Sequence, residues 1–224
     1  RAAPPISDMV AGSYAAMGVL AALVRRGRTG QGEEVTTSLT DSMTSMLAFL
    51  ATNFFATGRQ PLRTGNDHAI ASPYGLFEAS DGQVAIAPSN DSFYFKLLAA
   101  LELEDLKQHP DLQTNADRFE ARTLINQAIN QRTRSGSVAH WIDRLNAAGV
   151  PCGRVLGLAE VFDDPQTQHQ QMRVTIEHPQ HGALDVLGFP IKFTDAPCTM
   201  HRPPPVLGAD TESVLHELGY KPEA

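Results

Sequence analysis

The sequence predicts a mixed α/β chain in which two end segments, about residues 1–56 and 190–224, flank a compact α+β unit. Three observations carry this expectation. Apolar stretches near 9–24 and 41–56 read as helices, and a hairpin pattern follows at 74–88. Between them, at 57–73, the composition changes to Gly, Pro, Arg, Asn, Asp and His, the character of a linker or a site loop. The mixture of 42% hydrophobic and 19% charged residues is that of an ordinary globular chain.

The first helix is announced by Ser7-Asp8, an N-cap signal ahead of MVAGSYAAMGVLAALVRR. Arg25, Arg26 and Arg28 suit the negative end of its dipole. Gly12, Ala15, Ala16, Gly18 and Ala22 keep the helix thin enough to sit deep against other elements. Glu33 to Leu39 alternates like a short strand, and Asp41 to Ala56 reads as one helix rich in Met, Leu and Phe. YGLFEASDGQVAIAP places two strands around Ser80-Asp81-Gly82. Helical patterns follow at Asp91–Leu101, Asp117–Arg132 and Val138–Ala148, the last ended by Gly149. A short helix is expected at Leu158–Phe162 and another after Pro165. Val174–Ile176 and Leu184–Leu187 read as strands around His181-Gly182. HRPPPVLG is an extended tether, and Asp210-Thr211 caps a last helix reaching Leu218.

A net charge of −7 and a pI near 5.6 argue against a nucleic-acid scaffold and against electrostatic docking on anionic membranes. The longest apolar run, Met9 to Val24, is interrupted by Gly12, Ser13, Tyr14 and Gly18 and falls short of the roughly 20 residues that cross a bilayer. Cys152 and Cys198 stand far apart with no metal-ligand spacing and read as plain thiols of a reducing compartment. The chain opens at Arg1 without methionine and enters a helix almost at once, which reads as a piece of a longer polypeptide.

Among candidate site residues, Asp8 comes first. The start of a helix favours an anion, and a carboxylate there can attack a thioester carbonyl while neighbouring N–H groups hold the oxyanion. The same residue also fits a plain helix cap. His68 lies in GNDHAIASPYG with Ser72 and Tyr74; a Ser-His pair hints at hydrolysis, but no GxSxG elbow is present, and a surface turn fits as well. Gly27, Gly30 and Gly32 follow a helix instead of preceding one, so they make a poor phosphate loop. Asp163-Asp164, His178 and His181 read as polar turns, and Trp141 as a core anchor.

The segments DMVAGSYAAMGVLAALVRRGRTGQGEEVTTSLTDS, ATGRQPLRTGNDHAIASPYGLFEASDG, AAGVPCGRV, EVFDDPQ, GFPIKF and PPPVLGADTESVLHELGY resemble, in order, the family III CoA-transferases. The resemblance implies the C-terminal half of a large Rossmann-like α/β domain, its first half missing here, carrying a smaller inserted α+β domain. It also implies interlocked homodimers, with linkers near 57–73 and 178–206. The expected layout is large-domain segment 1–56, linker and active-site loop 57–73, small domain 74–177, and return segment 178–224. Asp8, followed by Gly12, matches the family's nucleophilic aspartate, which forms acyl anhydride and aspartyl-CoA intermediates. Gly65, Asn66, His68, Ser72 and Tyr74 fall on the loop over the thioester, with His68-Ala69 in place of the glycine run of the oxalate-related branch. The implied substrates are an acyl-CoA and a carboxylic acid, with no metal and no bound cofactor, in a cytoplasmic enzyme that binds neither nucleic acid nor membrane. Two other readings stay open: an α-methylacyl-CoA racemase that uses Asp8 as acid and base, or a non-catalytic fragment of such an enzyme.

Overall fold

A computed structural model describes residues 3–220, so the Arg1 start and the last four residues of the 178–224 segment lie outside it. The chain divides into two compact units, Arg1–Gly153 and Arg154–Ala224. The first contains α1 (Ile6–Thr29), α2 (Leu39–Ser45), α3 (Ala48–Thr57), β1 (Gly75–Ala79), β2 (Gly82–Ile86), α4 (Asp91–Leu101), α5 (Glu104–Gln108), a single 3-10 turn at Pro110–Leu112, α6 (Asn115–Glu120), α7 (Arg122–Thr133) and α8 (Val138–Ala147), and it runs out along β3 (Cys152–Arg154). The second contains α9 (Leu158–Asp163), α10 (Pro165–His169), β4 (Arg173–His178), β5 (Gly182–Leu187) and α11 (Thr211–Glu217).

The hydrophobic core lies wholly in the first unit. β1 and β2 form an antiparallel hairpin with Phe77 opposite Val84 and Gly75 opposite Ile86, and β3 adds to the far side of β2. Alternate hairpin residues Phe77, Ala79, Val84 and Ile86 turn inward, as the two-residue period of a half-buried strand requires. Onto that face pack Tyr94, Leu97, Leu98 and Leu101 of α4, Ile125 and Ile129 of α7, and Trp141 and Leu145 of α8. Trp141 anchors this core: its indole N–H donates to the carbonyl of Thr133 at 2.6 Å, and the Arg132 and Arg144 guanidiniums stand over its ring. Both arginines also bind Glu102, Arg144 at 2.5 Å. In the second unit, β4 and β5 pair antiparallel from Arg173–Leu187 to His178–Gly182, and no apolar side chain is fully buried among its described residues.

Four expectations change. The helix starts at Ile6, so Pro5 is its N-cap and Asp8 is a first-turn residue. The Pro4-Pro5 pair sets this start, because proline lacks the N–H that an earlier turn would need. The strand expected at Glu33 to Leu39 does not form: no described residue pairs with this segment as a strand, Leu39 opens α2, and Val35 packs instead on Gly18, where an added Cβ would come within 2.6 Å of Val35 Cγ1. The single helix expected at 41–56 is two. Ser42 and Ser45 turn their hydroxyls back to the carbonyls of Ser38 and Ser42, both at 2.7 Å, and Ala48 sits at φ 45°, so the axis breaks at Met46–Leu47. The helix expected at Asp117–Arg132 is likewise divided at Ala121 into α6 and α7.

Helix α1 is also longer than its apolar run. It spans 24 residues, with mean hydropathy 1.5 over its most apolar 18-residue window, so by length and composition it could cross a bilayer. Only Ala11 is buried on it, and Met9, Leu20 and Val24 are each more than 60% exposed.

The Glu102 carboxyl is held below the usual carboxylate range, first by the hydrogen bond and charge of Arg144 and then by Arg132. A carboxyl depressed on folding contributes stability that is present at neutral pH and lost as pH falls through its folded value. Glu102→Gln is therefore expected to lower the midpoint of chemical denaturation at pH 7, with the gap from the parent closing as the solution is acidified through the carboxylate range. A gap that is constant with pH would contradict this role.

Candidate active site

The start of α1 carries the first candidate. Ile6 N–H donates to Pro4 O at 2.9 Å, and Met9 N–H to Pro5 O at 3.1 Å. The amides of Ser7 and Asp8 have no backbone partner among the described residues, as expected for a first helical turn. The Asp8 side chain is exposed, and its Oδ2 accepts from the Ser7 hydroxyl at 2.9 Å. A solvent-facing carboxylate thus stands beside free N–H groups at the positive end of a long helix dipole. Ser7 also borders a shallow apolar groove with Leu39, Thr40, Met43, Thr44 and Leu47 of the α2–α3 region. Tyr14 and Ser45 join α1 to α2 through their hydroxyls at 3.0 Å.

Two residues beyond Leu47, Phe49 leads to the second candidate. Its ring stacks on His68 with centroids 5.3 Å apart, and His68 also stacks on Tyr74 at 4.8 Å. Nδ1 of His68 accepts two backbone amides, Ile70 at 3.3 Å and Ala71 at 3.0 Å, and its own amide donates to Tyr74 O at 2.8 Å. The imidazole is therefore not paired with the Ser72 hydroxyl. Ser72 is only 3% exposed, with its hydroxyl unpartnered. Gly65, at φ 63°, and Asn66 occupy the exposed tip of the loop. Gly75 lets the loop close on β1, since a Cβ there would meet Asp67 Oδ1 at 2.2 Å.

The residues that hold this loop were not singled out from the sequence. Arg118 is 2% exposed; it donates to Ser72 O at 3.1 Å, Leu112 O at 3.3 Å and Gln113 O at 2.9 Å, and pairs with Asp91. Arg122 donates to His68 O at 2.6 Å, Asn115 bridges Ile70 O and Ser72 N–H, and Asn126 donates to Asp67 Oδ2 at 3.0 Å. Their spacing, Asn115-Arg118-Arg122-Asn126, repeats every three or four residues, a polar stripe down one face of α6–α7 that was legible as a pattern.

The remaining candidates fill structural roles. Asp164 caps α10 through the Gln166 amide at 2.9 Å, and His178 accepts the amides of Gln180 and His181 while bonding Pro204 O at 3.0 Å. Cys152 and Cys198 are free thiols, and burial pushes that of Cys152 up. No cluster of three or more potential metal ligands occurs among the described residues.

Comparison with known proteins gives this geometry its setting. The family model described as CoA-transferase family III matches residues 1–211, and the chain belongs to that family. A succinyl-CoA:mesaconate CoA-transferase of Haloarcula marismortui is 32% identical over 98% of this chain and 55% of its own length. The human succinyl-CoA:glutarate CoA-transferase is 26% identical over 95% of this chain and 49% of its own. The chain thus spans about half the length of these relatives. Among solved structures, a CAIB/BAIF family protein from Brucella suis aligns with TM-score 0.75 and 31% identity, over 97% of this chain and 56% of its own.

Removing the buried guanidinium should free the loop. Arg118→Met leaves three carbonyls without their donor, and unfolding is expected to become easier by about 2–4 kcal/mol, at roughly 1–3 kcal/mol for each uncompensated polar group with some relief by water. Urea denaturation, with hydrogen exchange of the 64–74 amides, measures this. A loss under about 1 kcal/mol with unchanged exchange would contradict the clamp.

Proposed function

We propose that the protein moves coenzyme A from an acyl-CoA to a carboxylic acid, with Asp8 as covalent nucleophile. The observation that carries the proposal is the exposed Asp8 carboxylate in the first turn of α1, beside unpartnered amides; the sequence resemblance implies that this is the family's nucleophile. Relatives named for transfer from succinyl-CoA to glutarate and to mesaconate support dicarboxylic substrates.

The chemistry balances without redox change or a metal. The Asp8 carboxylate attacks the thioester carbonyl, expels CoA thiolate and becomes a mixed anhydride. The thiolate attacks the Asp8 carbonyl, releases the donor acid and leaves aspartyl-CoA. The acceptor carboxylate attacks that thioester, forming a second anhydride and thiolate again. Thiolate attack on the acceptor acyl carbon then gives the new acyl-CoA and restores Asp8. Each addition places negative charge on a carbonyl oxygen, and the free amides near Asp8 are suited to hold it.

The activity is proposed for the whole protein. In it, segments 1–56 and 178–224 would belong to a Rossmann-like large domain, 57–73 to a linker and site loop, and 74–177 to the small domain. The apolar residues that α1 exposes fit a helix covered by other parts of a homodimer better than one facing lipid, because Gly12, Ser13, Gly18 and three arginines interrupt or end it. A cytoplasmic location, with no nucleic acid, membrane or bound cofactor, completes the proposal.

Asp8→Asn in the full-length enzyme is expected to lower kcat by at least about 10³-fold, the scale for loss of a covalent nucleophile, with CoA binding retained. Hydroxylamine is expected to modify the Asp8 peptide only during turnover with succinyl-CoA. Exchange of the acyl α-proton with deuterium, without any Asp8 adduct, would overturn transfer in favour of racemase chemistry.

A further inference from the structure

We propose that the hydroxyl of Ser7 is a catalytic donor. It holds the oxygen of Asp8 that does not attack, and it stabilises the negative charge that forms on that oxygen when the Asp8 carbonyl is itself attacked. This rests on the transfer reading above and adds to it a second residue that acts in defined steps.

Ser7 lies in the first turn of α1, and that position decides what its hydroxyl can do. A serine or threonine inside a helix commonly turns its hydroxyl back to a carbonyl three or four residues earlier. Ser13 and Thr29 of the same helix do so, to Met9 O at 2.8 Å and Arg25 O at 3.1 Å. Four residues before Ser7 is Ala3, outside the helix, and Pro4 O already accepts the Ile6 amide at 2.9 Å. The Ser7 hydroxyl bonds forward instead, to Asp8 Oδ2 at 2.9 Å. Ser7 is partly buried and borders the apolar groove of Leu39, Met43 and Leu47, whereas Asp8 faces solvent. The donor is thus rooted against protein, and the carboxylate that it touches is left open to substrate.

Carboxylate chemistry gives this contact its use. When Oδ1 attacks a thioester carbonyl it becomes the bridging oxygen of the anhydride, and Oδ2 remains the carbonyl oxygen of Asp8. Thiolate then adds to the Asp8 carbonyl carbon, and the electron pair of the C=O bond moves onto Oδ2. Collapse returns the pair and expels the donor acid, which carries Oδ1 away. Addition of the acceptor carboxylate to aspartyl-CoA loads the same oxygen again, and collapse expels thiolate. No proton moves in either step, so a neutral hydroxyl that donates throughout is sufficient. Its bond strengthens as Oδ2 passes from carbonyl to oxyanion, and only that gain accelerates the step. The other two additions build charge on an acyl oxygen of the substrate, where Ser7 is not required. Between turnovers the carboxylate can turn, and the hydroxyl serves whichever oxygen is left as the carbonyl.

The steps can be tested apart in the full-length enzyme. Ser7→Ala removes the donor at a position where alanine suits the helix, and Ser7→Thr keeps a hydroxyl. With succinyl-CoA alone, hydroxylamine captures the acyl group of the anhydride as succinohydroxamate and so reports the first addition, above the background of Asp8→Asn. Acid quenching at successive times, followed by mass spectrometry of the intact protein, reports the CoA adduct at Asp8 and so the second. Ser7→Ala is expected to form succinohydroxamate no more slowly than the parent. Its CoA adduct is expected about 10²-fold more slowly, the scale for loss of one oxyanion donor, with a matching fall in kcat when glutarate is added. Ser7→Thr is expected to recover most of that loss. Parental formation of the CoA adduct in Ser7→Ala would overturn the proposal. So would equal slowing of both products, the mark of a merely structural role, or a Ser7→Thr enzyme as slow as Ser7→Ala. A parent enzyme that forms neither product would instead overturn the transferase reading, and this role with it.

Discussion

Arg118 of α6 is buried to 2% exposure and donates to the carbonyls of Ser72, Leu112 and Gln113 while pairing with Asp91 and lying 4.3 Å above the Tyr94 ring. Burying a guanidinium is costly unless its donors are met, and here backbone oxygens and a carboxylate meet them. The cation is thereby placed where two requirements coincide. On one side it rests against the core through Tyr94; on the other it fixes the chain entering β1. Arg122, Asn115 and Asn126 extend the same face and bind His68, Ile70, Ser72 and Asp67. A loop with little apolar surface of its own thus takes its order from a helix that belongs to the core.

That order passes to α3 through aromatic contact. The helices α1, α2 and α3 have almost no core among themselves: Ala11 and Ser42 are the buried residues of α1 and α2, and α3 has none. The Phe49–His68–Tyr74 stack connects α3 to the loop, and pairs of this kind add about 0.5–1.5 kcal/mol beyond their burial. Such energies can align neighbouring segments, but they do not replace a core. A large apolar area is left exposed on α1, in a chain that spans about half the length of its relatives.

The legible parts of the sequence were those ruled by local periodicity. The hairpin at 75–86, the helices α4 and α8, the pair β4–β5 and the core role of Trp141 follow from alternation, helical spacing and turn residues. The features that escaped depend on partners distant in the chain or on competition at a single position. Glu33 to Leu39 alternates like a strand, but no strand lies beside it among the described residues. The break between α2 and α3 comes from serine hydroxyls turning onto the backbone, and the shift of Asp8 from cap to first turn from two prolines. The resemblance brought His68 and Tyr74 into one loop. It gave no hint that Phe49 closes the stack, because aromatic contact across 19 residues of irregular chain leaves no periodic trace.

Covalent chemistry at Asp8 makes a specific demand on oxygen atoms. In the proposed sequence the acceptor carboxylate attacks aspartyl-CoA, and one of its oxygens remains with Asp8 when thiolate takes the acyl group away. The most direct measurement is therefore mass spectrometry of the Asp8 peptide after turnover of full-length enzyme with succinyl-CoA and glutarate labelled with oxygen-18 in its carboxylates. One labelled oxygen in the Asp8 side chain after a single turnover, rising towards two as turnovers repeat, is the predicted result. Complete turnover to glutaryl-CoA with an unlabelled Asp8 would contradict it.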